Sequence, residues 1–318
     1  MSVKEKILDI LEERAGECVS GAELAERAAV SRNAVWKAIN SLEASGMEIS
    51  RSHSGYSLKE GLSERGIRRY LSFPESAEIR VYDSVDSTNS VMKAAAADGL
   101  GDRSVIAAKE QTAGRGRYDR VFYSGKGDGV YFSLLIRNVD FERGRFLTAI
   151  AAVAAVETLK ERFGAEASIK WVNDIYVGEK KCAGILTEAV TDMELNAIAY
   201  AVIGIGLNLK KPRGGYPAKI AGTAGVPAEI LPRDPYNLAV SEIAGRIYSA
   251  YDSFDRAELV EKYRGYSFLV GRKVGVMKEG RVVSEGVVKG IDDELSLVVE
   301  SGDGKEERLC FGEVTLRL

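Results

Sequence analysis

The sequence predicts an α+β protein built from several domains. At 318 residues the chain is longer than one hydrophobic core usually organises. Its patterning also changes twice: helical periodicity gives way to alternating strands and helices, and these to a closing run of short strands. The expected division is residues 1–62, 63–268 and 269–318, with no repeat, low-complexity tract or long linker between them.

In the first segment Val3, Ile7, Ile10 and Leu11 recur at helical spacing, and Ser20-Gly21-Ala22-Glu23 has the form of a capping box ahead of Leu24, Ala25 and Ala28. Ser31 is placed to cap a third helix. Its apolar positions Val35, Ile39 and Leu42 share one face and leave Arg32, Asn33, Lys37 and Asn40 largely off it. Glu48 to Arg51 and Gly55 to Leu58 then alternate as two strands around Ser52-His53-Ser54-Gly55. Three helices and a hairpin in this order predict a winged helix-turn-helix.

In that arrangement the polar face of the third helix enters the major groove of DNA. Ser31, Arg32, Asn33 and Lys37 are therefore the candidate DNA-binding residues, with Arg51 of the wing on a phosphate. Residues 1–62 hold 8 Lys plus Arg against 10 Asp plus Glu, a balance that makes a single module a weak binder and a homodimer the expected species. The alternative is a winged module that docks protein.

The central segment predicts strands near 79–82, 104–109, 130–136, 168–177, 181–189 and 197–208, with helices over Thr88–Ala97, Phe146–Phe163 and Tyr236–Phe254. Lys210–Pro235, rich in Gly and Pro, reads as an irregular surface loop. From Val270 onward, Lys273–Val276, Arg281–Ile291, Leu295–Glu300 and Glu307–Leu318 read as strands, with Gly302-Asp303-Gly304 turning one hairpin. These predict a small β-barrel.

Composition narrows function by exclusion. Hydrophobic residues make up 45%, charged residues 29%, and the net charge is -3, so nucleic-acid binding has to be local. The longest apolar run, near Phe146 to Val156, is alanine-rich and too short to span a bilayer, and the first residues lack a signal-peptide core. A cytoplasmic protein without a membrane partner is expected. Cys18, Cys182 and Cys310 lack metal-ligand spacing and are read as reduced, small hydrophobes; His53 is the only histidine and is read as solvated.

The densest unusual segment runs from Gln111-Thr112-Ala113-Gly114-Arg115-Gly116-Arg117 through Tyr118, Asp119 and Arg120 to Gly125, Gly127 and Gly129. Glycines let backbone N–H groups approach an anion, and arginines add forked charged donors. The expected ligand is nucleotide phosphate, with the loop ordering over it when bound. Upstream, Asp86-Ser87-Thr88-Asn89-Ser90 gathers polar groups at a helix N-terminus. Downstream, Lys170-Trp171-Val172-Asn173-Asp174 puts an Asn-Asp pair inside a strand pattern, and Lys181-Cys182-Ala183-Gly184-Ile185-Leu186 returns with small residues against which a ligand can lie. Gly204-Ile205-Gly206-Leu207-Asn208 is weak alone.

In this order the motifs Ser-Thr-Asn, Gln-x-x-Gly-Arg-Gly-Arg, Lys-Trp-x-Asn-Asp, Lys-x-Ala-Gly-Ile-Leu and Gly-x-Gly-x-Asn resemble the biotin protein ligase family, and the flanking domains resemble its bifunctional ligase-repressors. The resemblance implies a central mixed-sheet, class II synthetase-like ligase domain and a C-terminal SH3-like β-barrel that assists catalysis. It implies that Ser87, Thr88, Asn89 and Gln111 hold biotin, with Gly184 and Ile185 in the pocket floor. Arg115, Gly116 and Arg117 would close on biotin and adenylate, Lys181 would reach the carboxylate and α-phosphate, and Asn173 and Asn208 would position ATP. Asp174 is the one candidate metal ligand, for Mg²⁺ shared with ATP phosphates.

The implied reaction is ATP-dependent formation of biotinyl-adenylate and transfer of biotin to a lysine of a biotin carboxyl carrier protein, with operator DNA bound through the N-terminal domain. Ordering of the loop over 111–129 would complete a dimer surface and so couple the two activities. Departures are Val172, where the family often carries proline, and Tyr118, Asp119 and Phe122, where arginine or small residues and then tryptophan are common. Phe122 keeps a surface able to pack on adenine. Two other readings stand: a ligand-sensing transcription regulator with a degenerate ligase domain, and a lipoate-type ligase.

Overall fold

The computed structural model describes the chain apart from residues 15, 46, 48, 59–60, 71–73, 75–76, 193–196, 279–280, 311–312 and 317–318. Glu48, Phe311, Gly312, Arg317 and Leu318, expected in strands, lie outside the described residues.

The N-terminal module is α1 (Val3–Glu13), α2 (Gly21–Ala28), α3 (Arg32–Ala44) and the antiparallel hairpin β1 (Ile49–Ser52) and β2 (Gly55–Leu58). Ser20 caps α2 by accepting from Glu23 N at 3.1 Å. The reciprocal box, however, sits at α1, where Ser2 and Glu5 cap each other. Ile7, Leu11, Leu24, Val35, Ile39 and Leu42 close a core of their own, which is the apolar stripe read from the sequence meeting itself across three helices.

A short α4 (Glu64–Arg69) leads into a seven-stranded sheet of order β3-β4-β5-β9-β8-β7-β6. Its strands are β3 (Ile79–Tyr82), β4 (Val105–Ala108), β5 (Gly129–Val139), β6 (Ala167–Lys170), β7 (Asp174–Val177), β8 (Lys180–Asp192) and β9 (Ala197–Asn208). Only β3 and β4 pair in parallel, and β5 to β9 are antiparallel neighbours. The helices are α5 (Thr88–Ala97), α6 (Phe141–Gly144), α7 (Leu147–Phe163), α8 (Pro235–Asp252) and α9 (Arg256–Tyr266). Alternation along β4 and β5 splits the sheet into two faces. Val105, Ala107, Leu134 and Ile136 meet the large core with α7 and α8, whereas Ile106 and Leu135 meet Met92 and Ala96 of α5.

Two expected strands are each two: the span 307–318 divides into Glu306–Leu309 and Glu313–Leu316, at opposite edges of the C-terminal sheet. The span 168–177 breaks at a turn over Trp171, Val172 and Asn173, so β6 and β7 form a hairpin in which Lys170 faces Asp174. The peptide between Trp171 and Val172 is cis.

The C-terminal part is a five-stranded antiparallel sheet of order β13-β12-β11-β10-β14, consistent with an SH3-like barrel. Its strands are β10 (Lys273–Lys278), β11 (Arg281–Ile291), β12 (Leu297–Ser301), β13 (Glu306–Leu309) and β14 (Glu313–Leu316). Val274, Val288, Ile291 and Leu297 belong to the same buried cluster as the central sheet. Among the described residues no helix is long and apolar enough to cross a membrane.

Candidate active site

The floor of the site is made of missing side chains. Gly184 of β8 pairs with Gly206 of β9, and Gly204 pairs with Leu186. A Cβ on Gly204 would collide with the Asn89 carboxamide, and a Cβ on Gly206 with the Phe122 ring. Phe122 therefore packs against this glycine patch, edge-on to Tyr131 with ring centroids 6.4 Å apart.

Above one end of the floor sits the start of α5. Ser87 is the N-cap residue, yet its hydroxyl makes no capping bond. Thr88 donates from its backbone N and from Oγ1 to Gln111 Oε1 at 2.8 and 3.1 Å, while Gln111 Nε2 donates to Ser124 Oγ at 2.9 Å. Buried Ser133 lies 2.8 Å from Thr88 Oγ1 and 2.6 Å from Asn89 Oδ1. Asn89 Nδ2 donates to Glu188 Oε2 at 2.7 Å, and Lys93 Nζ to Glu188 Oε1 at 2.8 Å. Burial raises the Glu188 carboxyl, but hydrogen bonds from Lys93 and Asn89 and the charges of Lys93 and Arg115 carry it below the usual Glu value.

The glycine-rich loop folds back as a small hairpin. Arg115 bridges Val121, Gly116 N donates to Arg120 O at 2.7 Å, and Phe122 N to Gly114 O at 2.9 Å. Tyr118, at φ 56°, turns the chain between them. Arg115 Nη2 donates to Ser90 Oγ at 3.2 Å and stands 3.8 Å from Glu188. Arg117 Nη1 donates to Asn173 Oδ1 at 3.2 Å, and Asn173 Nδ2 is itself fixed on Ile185 O at 2.8 Å. The turn after β6 is what aims Asn173 at the loop. The Asp119 side chain lies outside the described residues.

Across the cavity Lys181 Nζ is 2.7 Å from Asp174 Oδ1, both half-buried. Every candidate for biotin, ATP or metal except Asn208 lines this one cavity of about 340 Å³. Asn208 is buried beside it, and its Nδ2 holds Gly225 O at 3.2 Å. It supports the loop that brings Ile220 and Thr223 to the cavity wall.

On the N-terminal module Ser31 accepts from Ala34 N at 3.2 Å, so its hydroxyl is engaged as a cap. Arg32, Asn33 and Lys37 are exposed along α3. Arg51 lies against α3, bonded to Asn40 and ion-paired with Glu43. His53 is exposed in the wing turn.

Residues 81–208 match the biotin/lipoate A/B protein ligase family and residues 3–57 match a helix-turn-helix domain. The chain is 29% identical to the bifunctional ligase/repressor BirA of Bacillus subtilis (strain 168), covering 95% of each, and 27% identical to BirA of Escherichia coli (strain K12), covering 95% of this chain and 94% of that one. Residues 81–208 are a biotin/lipoate protein ligase domain.

Among solved ligases, a biotin protein ligase from Aquifex aeolicus in complex with biotin and ATP superposes at a TM-score of 0.64 with 26% identity, over 76% of this chain and 98% of that chain. Within this ligase domain, sequence reasoning missed Ser133, Lys93, Ile220, Thr223 and Glu188. Glu188 stands on β8, third from the sheet edge, tied to Asn89, Lys93 and Arg115. Cys182 is the small hydrophobe expected, with burial pushing its thiol up to about 12, whereas Cys18 and Cys310 are exposed. Trp36 was also missed: it is 50% exposed on the face of α3 that carries Arg32, Asn33 and Lys37, a position the helical spacing of those residues marks.

Proposed function

We propose that the chain joins biotin to ATP as biotinyl-adenylate and transfers biotin to a lysine of a biotin carboxyl carrier protein. We propose further that its winged module, as a homodimer, binds operator DNA and represses biotin genes. One observation carries the first part: Lys181 and Arg117 line a single cavity together with Ser87, Thr88, Asn89 and Gln111.

In the first step a biotin carboxylate oxygen attacks the α-phosphorus of ATP, and the bond to the β-phosphate breaks to release pyrophosphate. Negative charge gathers on the α-phosphoryl oxygens, where Lys181 and Arg117 supply fixed positive charge. In the second step the carrier lysine attacks the acyl carbon, the bond to AMP breaks, and the amine loses its proton to water. Neither step needs an enzyme nucleophile; alignment does the rest. Asp174 fits as the single carboxylate of a Mg²⁺ shell completed by phosphates, since no cluster of three or more metal-ligating side chains exists among the described residues. Bound there, Mg²⁺ would neutralise phosphate charge. Asp174 also orients Lys181.

The experiment is biotin-dependent exchange of labelled pyrophosphate into ATP. Intact protein exchanges label, and Lys181→Ala loses about 3 kcal/mol of transition-state stabilisation, on the order of a hundredfold in rate. Exchange supported by lipoate in place of biotin would move the substrate to that acid. No exchange by folded wild-type protein would leave a ligand-sensing regulator.

A further inference from the structure

A second cavity, of about 770 Å³, lies where the winged module meets the ligase domain. Its wall is basic: Lys109 follows β4, Lys126 precedes β5, and Lys210, Lys211 and Arg213 follow β9. The acids in the lining are Glu12 and Asp128. Glu12 is held by Arg65 at 2.7 Å and Arg69 at 3.0 Å, and Asp128 accepts from Tyr123 Oη at 2.8 Å. Lys109 pairs with Asp83, and Lys210 Nζ stands 5.2 Å from the Tyr236 ring centroid. Lys126 also acts on Asp83, whose carboxyl Lys109 and then Lys126 hold below its usual value.

Like charges converging on a concave wall repel one another and focus a positive field, all the more beside the apolar Met47, Leu58 and Leu62. An anion relieves that repulsion. The occupant is not duplex DNA: α3 is about 20 Å long, Met47 follows its C-terminal end, and Arg32 and Asn33 open its N-terminal end. The cavity thus lies at the opposite end of α3 from Arg32 and Asn33, the residues proposed to meet bases.

We propose that this cavity is a second anion site, separate from the ligand cavity, that takes a small molecule bearing two or more phosphates on cations supplied by the ligase domain. The inference is independent of the ligase chemistry proposed above.

The test is calorimetric titration of the full chain with inorganic triphosphate. Binding persists in Arg117→Ala, which cripples the ligand cavity, and weakens at least about tenfold in Lys211→Glu/Arg213→Glu, which removes two charged contacts when the loss of even one is worth about that factor. Lys126→Gln gives a smaller loss of the same sign and guards against misfolding of the double variant. ATP showing the same loss would identify a nucleotide as the occupant; triphosphate alone would identify an inorganic one. Binding removed by Arg117→Ala alone, or unchanged in all three cavity substitutions, overturns the site. So does a double variant that loses only its affinity for random duplex DNA.

Discussion

Glu188 shows what one side chain does for the site. Its carboxylate orients Asn89 and neutralises Lys93, and Asn89 is 4% exposed, with no water to replace a lost partner. The folded carboxyl has a lower pKa than the unfolded one, so the folded state binds fewer protons. Its contribution to stability is complete above the ordinary Glu value and fades as pH falls through the lowered one. Glu188→Gln should therefore flatten the acid limb of a melting-temperature profile below about pH 4.5 and raise the KM for biotin while kcat moves less. An unchanged KM would mean that Asn89 does not touch biotin. Ser87, Thr88, Asn89 and Gln111 were legible because they sit in short motifs. Glu188 was not, because it lies 99 residues from Asn89 in sequence and nothing local marks the pair.

At the scale of elements, α5, α7, β9 and β11 could be read nearly to the residue because their periodicity is unbroken. The hairpin of β6 and β7 could not: Trp171 and Val172 look like strand residues, and only the pairing of Lys170 with Asp174 shows the turn. Both α4 and α9 escaped for a different reason. Few of their residues are buried, Gly66 and Ile67 in one and Leu259, Val260 and Tyr263 in the other, so the apolar stripe is thin. The glycines of β9 carry a prediction of their own. Gly204→Ala drives a methyl into the Asn89 carboxamide, which its bonds to Glu188 and the adjacent Ser133 hydroxyl hold in place. We expect about 1–3 kcal/mol of destabilisation by overpacking, together with biotin affinity weakened well beyond ATP affinity. Equal weakening of both would place Asn89 outside the biotin end of the cavity.

At the scale of the molecule, the three parts are joined unequally. The winged module closes its own core and meets the rest through charge: Arg65 pairs with Asp9 and Glu12, Arg69 with Glu12, and Arg233 with Glu17. The C-terminal sheet shares the central core instead. Trp171, which lines the ligand cavity, donates its Nε1 to Leu295 O at 2.9 Å, Tyr263 Oη donates to Val172 O at 3.0 Å, and Arg264 reaches Ile291 O. Composition and motif spacing reveal that three parts exist, but how they are joined depends on contacts that nothing local in the sequence marks, such as the one across 124 residues between Trp171 and Leu295. Removal of residues 1–60 should leave pyrophosphate exchange intact and the main melting transition nearly unmoved. Truncation after Phe268 should do the opposite. It strips Val274, Val288, Ile291, Leu295 and Leu297 from the core, each worth about 1.5–3 kcal/mol, a sum comparable to the ~5–15 kcal/mol that holds a whole domain folded. The loss also orphans the Trp171 indole N–H. Circular dichroism melts beside the exchange assay separate the cases: a truncated chain that still melts cooperatively but cannot exchange would make the C-terminal sheet a catalytic partner, not a part of the core.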